Sequence, residues 1–209
     1  MMTLLLLFFP LLAAVLVLAG GPKAAAKMAL ALTTIQLGIS VTALCKFLKE
    51  GAEPFYVFYP WLQSPKISFH LSLDGLSLLM VLLTNLLTPI IILSGFKRTI
   101  QNAAGYFSLI LLMQFALNGV FMAMDGLLYY IFWELALIPI YFIALRWGGP
   151  NRVNVTLKFF IYTLAGSLLM LFGFIMLYWY NPEHSFDIRE LYRTYISDKN
   201  QSWLFWMFF

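Results

Sequence analysis

The sequence predicts an all-α membrane protein with six transmembrane helices and the start of a seventh. Three observations carry that prediction. Of the 209 residues, 62% are hydrophobic and only 11% charged, whereas soluble domains carry about 25% charge. Mean hydropathy is +0.87. The charges gather between apolar runs of about 16 residues or more, close to what a hydrocarbon core about 30 Å thick requires. Lipid is therefore the solvent for most of the chain.

The first span covers about Thr3–Leu18 and is closed by Gly20-Gly21-Pro22. It lacks the positive start of a signal peptide, and its apolar run exceeds the usual length of about 7–15, so it reads as a span that stays. The second is Met28–Leu44, between Lys27 and Lys46. A polar and aromatic connection with three prolines, Lys46–Asp74, reads as an outer loop. Spans three to six are about Gly75–Gly95, Ala104–Met122, Gly126–Leu145 and Thr156–Tyr178. After the charged loop Asn181–Gln201, WLFWMFF opens the seventh. The chain divides into residues 1–103, holding helices 1–3 with the loop 46–74, and residues 104–209, holding helices 4–6 and the start of 7.

Basic residues orient the bundle. With the N-terminus outside, the short inner loops hold Lys23, Lys27, Lys97, Arg98, Arg146, Arg152 and Lys158 and no acid. The outer loops mix Lys46, Lys49, Lys66, Arg189, Arg193 and Lys199 with acids in longer segments, which translocate largely regardless of charge. The N-terminus is expected outside. Cys45, the single cysteine, excludes an internal disulfide and a cysteine-cluster metal site. His70 and His184 are too scattered for a histidine metal site and are expected to be solvated. No nucleotide-binding, zinc-protease or nucleophile-elbow motif is present. The net charge of +4 is dispersed at span ends, so no nucleic-acid partner is implied.

One residue breaks the apolar pattern. In DGLLYYIFWELALIPIYFIALR, Asp125 to Arg146, Glu134 is a carboxylate inside a span. Even by the lower insertion scales an acid there costs about 2.5–3.5 kcal/mol. It lies nine residues, about 14 Å, from Asp125. Gln114 is eleven residues from Asp125, Asn85 eleven from Asp74 and Gln36 ten from Lys46, all about 15–16 Å deep. Four spans thus place an amide or carboxyl side chain near mid-membrane. Such side chains glue helices, each contributing about 0.6–2 kcal/mol, or they line a proton relay. Glue does not need a titratable group, so Glu134 is the candidate relay residue, with Gln114, Asn85 and Gln36 as a candidate lateral path. Lys158, at the inner mouth of span six, is a topology charge or a path entry. Pro10, Pro89 and Pro139 fall inside spans. The first span carries no such polar side chain and is expected to be peripheral.

The residues also carry a resemblance. LLYYIFWELALIPIYFIALRWGG resembles the fifth-helix signature of the subunit 4 (chain M) family of proton-pumping NADH–quinone oxidoreductase, respiratory complex I. FHLSLDGLSLLMVLLTNLLTPIIIL is similar to that family's third helix and TLKFFIYTLAGSLLML to its sixth. The three stand in family order and cover roughly residues 69–172; the ends fit in hydropathy only. The resemblance implies an antiporter-like subunit of about fourteen helices with two inverted repeats. This chain corresponds to the first three helices and the first part of one repeat. It further implies that Glu134 matches a glutamate essential for pumping, paired with a lysine on the seventh helix. Gln114 falls where members carry either glutamate or glutamine.

The implied activity is proton translocation, within a membrane-arm subunit, coupled to electron transfer from NADH to quinone. NADH, FMN, iron–sulfur clusters and quinone would be bound by other subunits and none by this chain. The implied partners are the other membrane-arm subunits and the lipid bilayer, in a bacterial inner membrane. The alternatives are a subunit of a multisubunit cation/proton antiporter or membrane-bound hydrogenase, and a non-pumping remnant.

Overall fold

A computed structural model describes residues 1–63, 65–96 and 99–208, with Lys199 described by its backbone alone. Two of the inner-loop charges used for orientation, Lys97 and Arg98, lie outside the described residues. Six long helices form the body: α1 (Met2–Ala19), α2 (Ala25–Glu50), α3 (Gly75–Gly95), α4 (Ala103–Met122), α5 (Gly126–Trp147) and α6 (Arg152–Tyr180). Each is long and apolar enough to cross a membrane. A short α7 (Ile188–Tyr192) and α8 (Asp198–Phe208) follow. Aspartates start two of the spans. The Asp74 carboxylate accepts from the Ser77 N–H at 2.7 Å, and Asp125 accepts from Leu127 and Leu128 at 3.0 and 3.2 Å, meeting N–H groups that a helix start leaves unpaired.

Helix α4 is the hub, packed against α1, α2, α3 and α5. It serves there because it is narrow where neighbours press closest: a Cβ on Gly119 would run into the Phe132 ring of α5. Helix α1 is not peripheral, contrary to expectation. It lies against both α2 and α4, with Leu6, Leu7 and Val17 fully buried. The outward face of α3 shows the opposite pattern. Leu76, Leu79, Leu83, Leu86, Ile90 and Leu93 recur every three or four residues and all are exposed, an apolar stripe suited to lipid.

The two long loops meet at one end of the bundle. The segment read as a plain connection contains a 3-10 turn (Glu53–Phe55) and an antiparallel hairpin, β1 (Val57–Gln63) with β2 (Lys66–Leu71). Pro60 hid the first strand; it is accommodated where the register slips between Pro60 and Leu62. The turn joining α4 to α5 is held between this hairpin and the 185–188 segment. Met124 N–H donates to His70 C=O at 2.9 Å, Gly126 N–H to Phe186 C=O at 2.8 Å and Ile188 N–H to Met124 C=O at 2.9 Å. Asp125 also accepts from the Ser68 N–H and hydroxyl at 3.0 and 3.2 Å.

His70 sits inside this clasp and is not solvated. It is 1% exposed, flanked by the Tyr56 and Phe58 rings at 4.9 and 5.4 Å, and its Nδ1 lies 2.8 Å from the Asp187 carboxylate. His184 is exposed, as expected. Burial pushes the Asp187 carboxyl up, but the His70 hydrogen bond and the Arg189 N–H outweigh it and hold it below its ordinary 3.8. A carboxyl depressed in the fold stabilises above its ordinary value, and that contribution fades as pH falls through the folded value. Burial holds Asp125 above 3.8 despite its four donors, so its titration favours the fold as pH falls. Acid loosening of the clasp therefore belongs to Asp187. The Gly126 and Ile188 amides should exchange hydrogen faster at about pH 3 than at pH 6 after correction for intrinsic rates. Asp187→Asn should loosen them at both pH values by about 1.5–3 kcal/mol, the scale of a hydrogen bond to a charged group. Equal protection in variant and parent would count against the clasp.

Candidate functional site

Three of the five candidate residues come together. The Gln114 amide donates to Asn85 Oδ1 at 2.7 Å, and the Asn85 amide to the Ser40 hydroxyl at 2.6 Å. The Ser40 hydroxyl in turn donates to the Gln36 carbonyl at 2.9 Å. The Gln36 amide continues to the Leu6 carbonyl on α1 at 2.9 Å. Asn118 donates to both Asn85 Oδ1 and Leu6 C=O, at 3.2 and 3.3 Å. All of these side chains are buried. Four helices are thus tied by neutral groups at one depth.

The anchor in α1 has a covalent cause. Proline lacks an N–H, so Pro10 cannot satisfy the carbonyl four residues back, which is Leu6. That freed acceptor is the group Gln36 and Asn118 take, as a proline inside a span requires of its neighbours. Ser40 and Asn118 were missed in the sequence although each had a signal. They stand four residues after Gln36 and Gln114 respectively, one helical turn along the same face.

Glu134 stands apart from this network. It is half-buried on α5, and its Oε1 is enclosed with no hydrogen-bond partner among the described residues. Tyr130 stands one turn earlier on the same face of α5. Shared depth therefore did not mean shared contact: the amides bond with one another and with Leu6 across α1–α4, and the enclosed Glu134 oxygen has no partner among the described residues. Lys158 is exposed on α6 and makes no ion pair among the described residues.

Such an arrangement offers one titratable carboxyl in mid-span, set apart from a neutral amide layer. The amide layer cannot gain or lose protons at ordinary pH; it can only orient and hold.

Residues 123–209 match the family model described as NADH:quinone oxidoreductase/Mrp antiporter, TM. The F(420)H(2) dehydrogenase subunit M of Methanosarcina mazei is 38% identical over 160 residues, covering 74% of this chain and 32% of that relative. The NADH-quinone oxidoreductase subunit M of Escherichia coli K12 is 40% identical over 148 residues, covering 66% of this chain and 29% of the relative. A chain of respiratory complex I from Thermus thermophilus superposes with a TM-score of 0.88 at 25% identity, over 99% of this chain and 42% of that one. The chain spans about a third of the length of the curated relatives it matches. Over residues 123–209, and through relatives named subunit M, this chain is similar to the NADH:quinone oxidoreductase/Mrp antiporter family of membrane subunits.

Proposed function

We propose that this chain is the N-terminal part of a membrane-arm subunit that translocates protons, driven by electron transfer to quinone in partner subunits. One observation carries the reading: a single carboxyl, Glu134, stands in mid-span with an enclosed, unpartnered oxygen. A neighbouring ammonium that comes and goes would unload and load a proton at this carboxyl. The lysine would come from sequence that the relatives carry beyond the matched third. The amide layer of α1–α4 holds α4 rigid beneath it, and Lys158 serves as a topology charge.

Electron donor, flavin, clusters and quinone belong to partner subunits in this reading. With Cys45 as the single cysteine, the donor set here suits no iron–sulfur cluster. Relatives are named for NADH and for F(420)H(2) dehydrogenases alike, which fits a membrane module indifferent to the donor. The test is donor-driven proton uptake by complexes carrying Glu134→Gln, with sodium-dependent uptake measured beside it to detect the cation/proton antiporter alternative.

In this reading the subunit sits in a bacterial inner membrane with the N-terminus and the hairpin outside. Single cysteines at Asn151 and Ser185, with Cys45 replaced, should label from opposite sides. Only the Ser185 site should react with an impermeant thiol reagent outside intact cells; because Ser185 is buried, that reaction should be slow but present. Labelling of Asn151 from outside would invert the topology.

A further inference from the structure

We infer that the turn between α5 and α6 binds a phosphate group, of the kind carried by an anionic phospholipid headgroup or by a free phosphate ion. Gly148, Gly149, Pro150 and Asn151 form this turn, at the far end of α5 from the hairpin. A cleft of about 400 Å³ opens there, with Arg152, Val155 and Thr156 on its α6 side and Ala144 on its α5 side. Gly148 lets these walls approach: a Cβ on it would run into the Ala144 carbonyl oxygen and press on Arg152 Cβ.

Three kinds of donor meet at the cleft. Helix α6 starts without a side-chain cap, since Asn151 makes no capping hydrogen bond, and the Val153 and Asn154 N–H groups have no acceptor among the described residues. The positive end of a 29-residue helix thus presents unmet donors, a setting that favours an anion. The second donor is Arg152, exposed and without an ion pair among the described residues; its planar fork matches phosphate oxygens two at a time. The third is Thr156, which is only 3% exposed although it lines the cleft. Thr33, Thr84, Thr88 and Thr163 each donate to the carbonyl four residues back. The Thr156 hydroxyl leaves the Arg152 carbonyl alone and makes no hydrogen bond among the described residues. A buried hydroxyl calls for a partner, and an oxyanion held by Arg152, one turn away on the same face, supplies it. No acid lies between Glu134 and Glu183 in the sequence to repel an anion. Ala144, Pro150 and Val155 make the remaining wall apolar, which favours a phosphate esterified to glycerol at the bilayer surface.

The site is read by native mass spectrometry of the 209-residue chain titrated with phosphatidylglycerol, phosphatidylcholine or inorganic phosphate. One phosphatidylglycerol should be retained with an apparent affinity at least tenfold above that of phosphatidylcholine. Arg152→Gln should weaken it about tenfold or more, the scale of one charge-assisted hydrogen bond, and Arg152→Lys should recover part of that loss. Thr156→Val, which keeps the shape, should weaken it severalfold. Lys23→Gln removes a charge at the same end of the bundle but outside the cleft, and should leave the affinity unchanged. Phosphatidylglycerol retained against millimolar inorganic phosphate assigns the site to a lipid; displacement by phosphate, with the same response to Arg152→Gln and Thr156→Val, assigns it to the free ion. Equal weakening by Lys23→Gln and Arg152→Gln, with none from Thr156→Val, would mean diffuse surface charge only and overturns the inference. So does a parent chain that prefers neither phosphatidylglycerol over phosphatidylcholine nor binds phosphate.

Discussion

Glu134→Gln in the full complex is expected to abolish most donor-driven proton uptake and quinone reductase turnover, by about a hundredfold or more, while leaving assembly intact. The size follows from what a positioned acid or base contributes to proton transfer, typically 10²–10⁴-fold. Glutamine keeps the length and shape of the side chain, so the packing of α5 is preserved and only titration is lost. Glu134→Asp keeps the charge on a shorter arm and should retain partial activity. If Glu134 were glue, glutamine would serve as well or better, because an amide bonds in lipid without the cost of ionisation. The measurement is proton uptake in membrane vesicles normalised to assembled complex; near-normal uptake by the glutamine variant would remove Glu134 from the mechanism.

The second large effect falls on stability. Asn85 is 0% exposed and is the crossing point of the amide layer, receiving Gln114 and Asn118 and donating to Ser40. Asn85→Leu preserves volume but strands the Gln114 amide and weakens the settings of Asn118 and Ser40. Each stranded buried group costs about 1–3 kcal/mol, and the variant should lose about 3 kcal/mol or more in unfolding from mixed micelles. Gln114→Leu removes one donor only and should cost less than half as much. Equal losses would mean that Asn85 is not the crossing point.

The helices were legible because lipid leaves little choice: a span must be a long apolar run, and its charged ends must lie outside. The mid-span amides were legible as well, since depth is a matter of counting residues. Direction around the helix is not. Glu134 and Gln114 match in depth, yet Gln114 bonds to Asn85 while the enclosed Glu134 oxygen has no partner among the described residues. The misplacement of α1 has a different origin. Its polar contribution is a backbone carbonyl, and a reading of side chains could not register it, although Pro10 announced it. The hairpin was hidden by Pro60 and by residues far away in sequence; His70 is enclosed by the Tyr56 and Phe58 rings together with Asp187 of the returning 185–188 segment. Ser40 and Asn118 needed only the four-residue periodicity to be applied once more.

The Leu6 carbonyl has a consequence for how the subunit is made. A helix inserted alone with Pro10 in its middle presents a naked acceptor to hydrocarbon, where no water compensates it. Helix α1 is therefore an uncomfortable lodger in the bilayer until α2 supplies Gln36 and α4 supplies Asn118. Between lipid-solvated helices there is little hydrophobic force to drive association, so this unmet acceptor gives α1 a reason to dock at one depth, on one face, with particular neighbours. Biogenesis would then be ordered: α1 waits for α2, and the pair stays open until α4 arrives and closes it. A local defect in one helix thereby becomes an address label for two others.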